Sequence, residues 1–84
     1  LDVCFKLTDG SVIAVEVKSS ISDDSDITRG IFQTVKYQAV LEAMQRVEGR
    51  MGNVSVVLVT GRKLADIHNK LISTLSVNHK LIKR

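Results

Sequence analysis

The strongest constraint on the fold is an almost unbroken apolar run, V-S-V-V-L-V-T, over residues 54–60. A run of this length and character is typical of a central strand covered on both faces. Helical patterns precede and follow it, over residues 28–48 and 63–75. A strand between two helices predicts an α/β fold, in which helices pack against a sheet.

Two further strands precede the first helix. Residues 2–7 alternate between polar and apolar side chains, which predicts a half-buried strand. The turn residues Thr8, Asp9, Gly10 and Ser11 follow, and Asp-Gly tolerates the positive φ angles of tight turns. Residues 12–18 form the second strand, with odd-numbered side chains on one face and even-numbered side chains on the other. We expect the two strands to pair antiparallel.

The long helix over residues 28–48 begins at an N-cap, Asp26 or Thr28. We expect its buried stripe to consist of apolar residues at helical spacing: Phe32, Val35, Ala39, Val40, Ala43, Met44 and Val47. The second helix is expected to turn inward Leu64, Ile67, Leu71, Ile72 and Leu75. Residues 77–84 suggest a short last strand. The order β-β-α-β-α-(β), with a right-handed parallel crossover, predicts a mixed sheet flanked by helices.

Composition narrows the class of protein further. Eighty-four residues form one domain, and no apolar stretch approaches the length of about 20 residues that spans a bilayer. Cys4 is the only cysteine, which excludes an internal disulfide and a cysteine-based metal site, and we expect it to be a buried thiol. An intracellular, cytoplasmic protein without a membrane partner is expected. The net charge of +3 is compatible with nucleic-acid binding but does not require it.

The segment Glu16-Val17-Lys18 places a carboxylate and an ammonium on one strand face. Asp2 lies on the preceding strand. Two carboxylates and the backbone carbonyl of Val17 would form a hard-ligand site for Mg²⁺ or Mn²⁺, and the lysine would act on a bound water or on phosphate charge. The alternative is ordinary polar alternation on a half-exposed strand.

These residues occur in an order that resembles the PD-(D/E)XK nuclease superfamily. An acidic residue, E-x-K on the next strand and Gln33-x-x-x-Tyr37 on the following helix are similar to its RecB-like branch, over residue 2 to about residue 60. The resemblance implies a restriction-endonuclease-like fold and magnesium-dependent hydrolysis of DNA in repair, recombination or restriction. The resemblance also implies roles for individual residues of this chain. Asp2 and Glu16 would bind the metal, Lys18 would assist the hydrolytic water, and Gln33 and Tyr37 would lie beside the site.

Two departures from the family pattern accompany this resemblance. Leu1 precedes Asp2 where the family often has proline. Family members also hold an acidic residue on an N-terminal helix before the first strand. We therefore expect residues 1–84 to be a single nuclease-like domain that lacks the N-terminal helix and first strand.

Strand register provides a structural test of the metal site. A two-residue Asp9-Gly10 turn pairs residues whose numbers add to 19, which would turn Asp2 away from Glu16. For Asp2 and Glu16 to lie on the same face, the numbers of paired residues must add to an even number, which requires an odd-length loop or a one-residue bulge. We predict that the strand register is shifted by one residue in this way between Asp2 and Lys18.

Four basic residues near helix ends or near the Gln33–Tyr37 pair are candidates for phosphate contacts: Arg29, Lys36, Arg62 and Lys63. The expected partner is DNA, and RNA is less favoured. The domain is expected to form a homodimer or to be part of a larger multidomain protein, and both alternatives stay open. Residues 23–26 are expected to form a solvated helix cap. Two alternatives stay open: a non-catalytic nucleic-acid-binding or assembly module, and a small domain with protein partners only.

Overall fold

The computed structural model describes residues 3–49 and 52–82. Within those residues the chain is a small α/β domain with a four-stranded mixed sheet and two helices. In chain order the elements are β1 (Val3–Lys6), β2 (Val12–Lys18), α1 (Asp24–Glu48), β3 (Val54–Thr60), α2 (Asp66–Leu75) and β4 (Asn78–Leu81). The predicted element order is confirmed, including the short last strand.

The strands lie side by side in chain order, β1-β2-β3-β4. β1 runs antiparallel to β2, whereas β2, β3 and β4 are parallel. Each parallel connection moves one strand further in the same direction, and such crossovers are right-handed. Both helices therefore lie on the same face of the sheet.

The hydrophobic core lies between this face and the two helices. Ile27 and Ile31 from α1 contact Leu58 from β3 and Leu64 from the segment before α2. The other face of the sheet is partly exposed, as Val17 shows with 47% of its surface accessible. On β3 itself residues 56, 58 and 60 are buried and residues 55, 57 and 59 are half-buried, so within the described residues the strand is fully covered on one face only.

The first helix begins earlier than predicted. Asp23 is its N-cap, and the Asp23 carboxylate accepts a hydrogen bond of 2.9 Å from the backbone N–H of Asp26. Residues 23–26 therefore form the predicted helix cap, with Asp23 in the role expected of Asp26 or Thr28. The second helix begins at Asp66, three residues later than predicted, after an extended Ala65.

The predicted buried stripe of α1 is wrong. Phe32, Val40, Met44 and Val47 are 52%, 44%, 48% and 88% exposed. The face that packs on the sheet instead carries Ile27, Gly30, Ile31, Thr34 and Gln45.

Polar side chains on this buried face bond directly to the sheet and its loops. The Gln38 amide donates to the carbonyl of Val54 (2.8 Å) and accepts from the N–H of Val56 (3.1 Å). Gln45 donates to the carbonyl of Gly10 at 2.5 Å. These bonds satisfy backbone groups of the sheet and allow a mixed polar and apolar face to be buried.

Two smaller expectations are also wrong. Cys4 is exposed, because it lies on the edge strand β1 and α1 packs over β2 and β3. Ile67 on α2 is 72% exposed, while Leu71, Ile72 and Leu75 pack on the core as predicted. Neither of the two described helices has the length and apolar character needed to cross a membrane.

Candidate active site

The β1–β2 hairpin has the register that the candidate site requires. Val3 pairs with Val15 and Lys6 pairs with Val12, so that the numbers of paired residues add to 18. The sum is even, and the predicted slip from a two-residue turn is confirmed.

An odd-length loop produces this register. The N–H of Leu7 donates to the carbonyl of Ser11 (2.8 Å), which leaves a loop of three residues, 8–10. Gly10 closes the loop at a φ of 91°, a conformation that glycine adopts without steric cost. The Asp9 carboxylate accepts a bond of 2.8 Å from the N–H of Ser11, and this bond lowers the pKa of Asp9. The loop is thus held by its own side chain.

The register determines which residues of the hairpin share a face. Residues of β1 and β2 that pair directly lie on the same face of the sheet. Even-numbered residues of β1 therefore share the face of Ala14 and Glu16, as Cys4 does by pairing with Ala14. The predicted metal ligand Asp2 lies outside the described residues.

Glu16 and Lys18 lie on the face of β2 that α1 covers. Their side chains are 8% and 18% exposed, and Nζ of Lys18 is 3.6 Å from Oε1 of Glu16. The flanking residues on this face, Ala14 and Leu58, are both fully buried. The pair is therefore part of the helix-covered interior, which is not the ordinary polar alternation of a half-exposed strand.

The backbone of Val17 faces the hairpin side of β2. The carbonyl of Lys18 accepts from the N–H of Gly61 (2.9 Å), so the backbone of Lys18 faces β3. Backbone groups of successive strand residues face opposite edges, and the carbonyl of Val17 therefore faces β1. The predicted carbonyl donor thus faces β1, whereas the Glu16 side chain projects from the helix-covered face of β2.

Helix α1 passes directly over Lys18. A Cβ at Gly30 would lie 2.9 Å from Cε of Lys18. Gln33 and Tyr37, three and seven residues further on, share the helix face of Gly30, and both are half-buried. Because α1 runs antiparallel to β2, the pair lies up to about 10 Å further along α1, towards Glu16. Gln33 and Tyr37 thus lie on the side of α1 whose Gly30 passes over Lys18.

Sequence reasoning did not identify Gly30 as part of this site. The available signal was a glycine inside a long helical pattern, which lowers helix stability and often has a packing reason.

The basic candidates divide into two kinds. Arg62 donates to the Asp24 carboxylate at 2.6 Å, and this hydrogen bond lowers the pKa of Asp24. Arg29 lies 3.5 Å from Asp26 in a solvent-exposed ion pair. In a separate group, Lys36 on α1 and Lys63 before α2 have exposed side chains.

The two histidines lie at separate packing contacts. Nε2 of His68 is 3.0 Å from Oγ1 of Thr28, and His68 is buried as a packed residue of α2. Nε2 of His79 is 2.8 Å from Oγ1 of Thr60, and burial lowers the pKa of His79. Across residues 3–49 and 52–82, no three His, Cys, Asp or Glu side chains group closely enough to hold a metal ion. The predicted site relies on Asp2, which those ranges do not include.

A groove of about 550 Å³ opens at the carboxyl ends of β2, β3 and β4. Lys18 and Ser19 line it on one side, and Thr60 and Ile82 line it on the other. Ligands of α/β sheets commonly bind at the carboxyl ends of the strands. Lys18 is one of the residues that line the groove, whereas Glu16, Gln33 and Tyr37 are not among them.

Comparisons with known proteins return no relative of this chain. No protein-family model matches it, no curated protein matches it at a significant level, and no solved structure does so either. The chemistry of the site is therefore inferred from its own residues and their surroundings.

Proposed function

We propose that this chain is a metal-dependent nuclease domain of the restriction-endonuclease-like fold, which hydrolyses phosphodiester bonds in DNA. The observation that carries the proposal is the ion pair of the buried Glu16 and the largely buried Lys18, 3.6 Å apart on the helix-covered face of β2. The mixed sheet, with a hairpin followed by a parallel crossover, is compatible with that fold.

Burial of this pair favours a functional role. Removing a carboxylate and an ammonium from water costs several kcal/mol per ion, and their mutual attraction often does no more than offset that cost. An apolar pair at these positions would pack against Ala14 and Leu58 without the penalty. Charged groups retained at such a cost are typical of catalytic sites.

The donor set suits a hard divalent cation. The Glu16 carboxylate and the carbonyl oxygen of Val17 are the oxygen ligands that Mg²⁺ and Mn²⁺ prefer, and Asp2 is the proposed second carboxylate. A bound metal would polarise a phosphate oxygen and lower the pKa of a bound water.

The remaining side chains would bind and orient the substrate. The Lys18 ammonium is a donor that can hold the attacking water or stabilise charge that develops on the phosphate. Gln33 and Tyr37 follow Gly30 along α1, where they would contact the nucleic-acid strand. The exposed Lys36 and Lys63 are available for phosphate contacts.

Arg29 and Arg62 would take part in a different way. Each is paired with an aspartate, so each would have to exchange that partner for a phosphate. We propose a role in DNA repair, recombination or restriction, with DNA as the partner.

A cleavage assay with Mn²⁺ on labelled single- and double-stranded DNA tests this function. We expect the parent chain to cleave, and Glu16→Gln and Lys18→Ala to lose cleavage, with circular dichroism used to confirm that each variant is folded under the assay conditions. Lys70→Ala is the matched control, because Lys70 is an exposed lysine on α2 away from the site.

Two outcomes would contradict the proposal. Cleavage that Lys18→Ala retains would remove Lys18 from the chemistry. DNA binding that falls with salt but is indifferent to metal, Glu16 and Lys18, without cleavage, would favour the non-catalytic binding module.

A further inference from the structure

Gly30 occupies an unusual position for a glycine. It is buried in the interior of α1, six residues after the helix begins at Asp24. Glycine is among the least favourable residues inside a helix, and alanine is the most favourable. Its presence under the sheet-facing side of α1 therefore indicates that a side chain at this position would collide with a neighbour.

That neighbour is Lys18. A Cβ at Gly30 would lie 2.9 Å from Cε and 3.3 Å from Cγ of Lys18, and 3.4 Å from Cδ1 of Leu58. Leu58 is fully buried and has little room to move. The hydroxyl of Thr34 donates to the carbonyl of Gly30 at 2.8 Å, within the same buried face of α1. The flexible stem of Lys18 is the group that would give way.

We propose that Gly30 is a positioning residue for Lys18. Its missing side chain leaves a channel between α1 and β2, and the Lys18 stem runs through this channel to place the ammonium beside Glu16. The catalytic consequence of this inference rests on the nuclease function proposed above, but the geometric part does not.

The size of the disturbance follows from the contact distances. An alanine at position 30 has to move Cε of Lys18 by about 0.5 Å to restore an ordinary separation of 3.4 Å. Catalytic groups have to be held within about 0.5 Å of the productive geometry, so this displacement reaches the limit of that range, and a displacement of about 1 Å can cost a hundredfold in rate. For Gly30→Ala we therefore expect a fall in kcat of about tenfold, with KM little changed.

Nuclear magnetic resonance of the lysine side chains tests the geometry without reference to activity. We expect Gly30→Ala to shift the Cε and Nζ resonances of Lys18 and to leave those of Lys70 unchanged. Unchanged Lys18 resonances in a folded Gly30→Ala variant would overturn the proposal.

A double-mutant cycle on stability supplies a second, independent readout. Gly30→Ala should raise the urea midpoint more in the Lys18→Ala background than in the parent, because the colliding stem is then absent. Folding of the double variant where Gly30→Ala alone fails to fold would support the proposal equally. Strictly additive midpoints would overturn it.

These readouts separate the two inferences. A parent chain that does not cleave DNA, but whose Lys18 resonances and midpoints respond as expected, would remove the nuclease function and keep Gly30 as the residue that positions Lys18. A cleaving parent whose kcat is unaffected by Gly30→Ala would keep the nuclease function and overturn the positioning role.

Discussion

Replacing the buried pair with apolar residues should separate stability from function. In the double variant Glu16→Leu, Lys18→Met, we expect the free energy of unfolding to stay constant or to rise by about 1–4 kcal/mol. At 3.6 Å, with an effective dielectric constant of about 20, the attraction between the two charges is about 5 kcal/mol. Desolvation costs several kcal/mol per ion, so the pair contributes close to nothing, whereas a buried leucine contributes about 1.5–3 kcal/mol.

Urea denaturation followed by circular dichroism measures the change, and the cleavage assay should show complete loss of activity. The control is Asp24→Asn, Arg62→Gln, which removes an ion pair whose side chains are 71% and 29% exposed. That control should change stability by no more than about 1 kcal/mol. A loss of more than about 2 kcal/mol in the Glu16, Lys18 double variant would refute the reasoning, because the pair would then hold the fold together.

Three further outcomes test the packing and the titration of the fold. Ile31→Ala should lower the free energy of unfolding by about 2–5 kcal/mol, whereas Val47→Ala on the same helix should lower it by less than about 0.5 kcal/mol, since Ile31 is 0% and Val47 is 88% exposed. Urea midpoints that showed the reverse would support the buried face predicted from the sequence. Asp23→Ala should cost about 1 kcal/mol through loss of the bond to the N–H of Asp26, and an unchanged melting temperature would contradict the cap. Burial lowers the pKa of His79 below 6.5, so that as the pH falls the unfolded chain binds a proton at a higher pH than the folded chain does. The free energy of unfolding should therefore be greatest above pH 6.5 and decrease below it. In urea midpoints measured across that range, His79→Gln should flatten this pH dependence.

The strands were predictable where local pattern alone decides the structure. β2 and β3 have the predicted bounds, Val12–Lys18 and Val54–Thr60. Alternation defines the two faces of β2, but it does not reveal which face the helices cover. That choice depends on the handedness of two crossovers, and it decides whether Glu16 is a surface carboxylate or a buried one.

The buried face of α1 was not predictable by hydrophobicity. The helix carries two candidate stripes, and the more apolar one, with Phe32 and Val47, faces solvent. The buried stripe includes Gln38 and Gln45, which are accommodated because they bond to backbone groups of β3 and the hairpin loop. Such bonds arise only when distant segments come together, and the spacing of residues along one helix does not contain them.

The hairpin register was predictable only as a pair of alternatives. Asp9-Gly10 is compatible with a two-residue turn or with a three-residue loop that ends in a glycine at positive φ. The structure has the second form, with Gly10 at a φ of 91°. One residue in this loop decides which β1 side chains share a face with Glu16, so the candidate site depends on Gly10 as well as on its own charged groups.

Paramagnetic broadening by Mn²⁺ tests most directly the claim that Glu16 holds a divalent metal. At a fraction of one equivalent of Mn²⁺, the amide resonances of residues 16–18 and of Gln33 should broaden first, and Glu16→Gln should abolish the effect. Broadening confined to the acidic helix start at residues 23–26, or broadening of residues 16–18 that Glu16→Gln leaves unchanged, would contradict the claim.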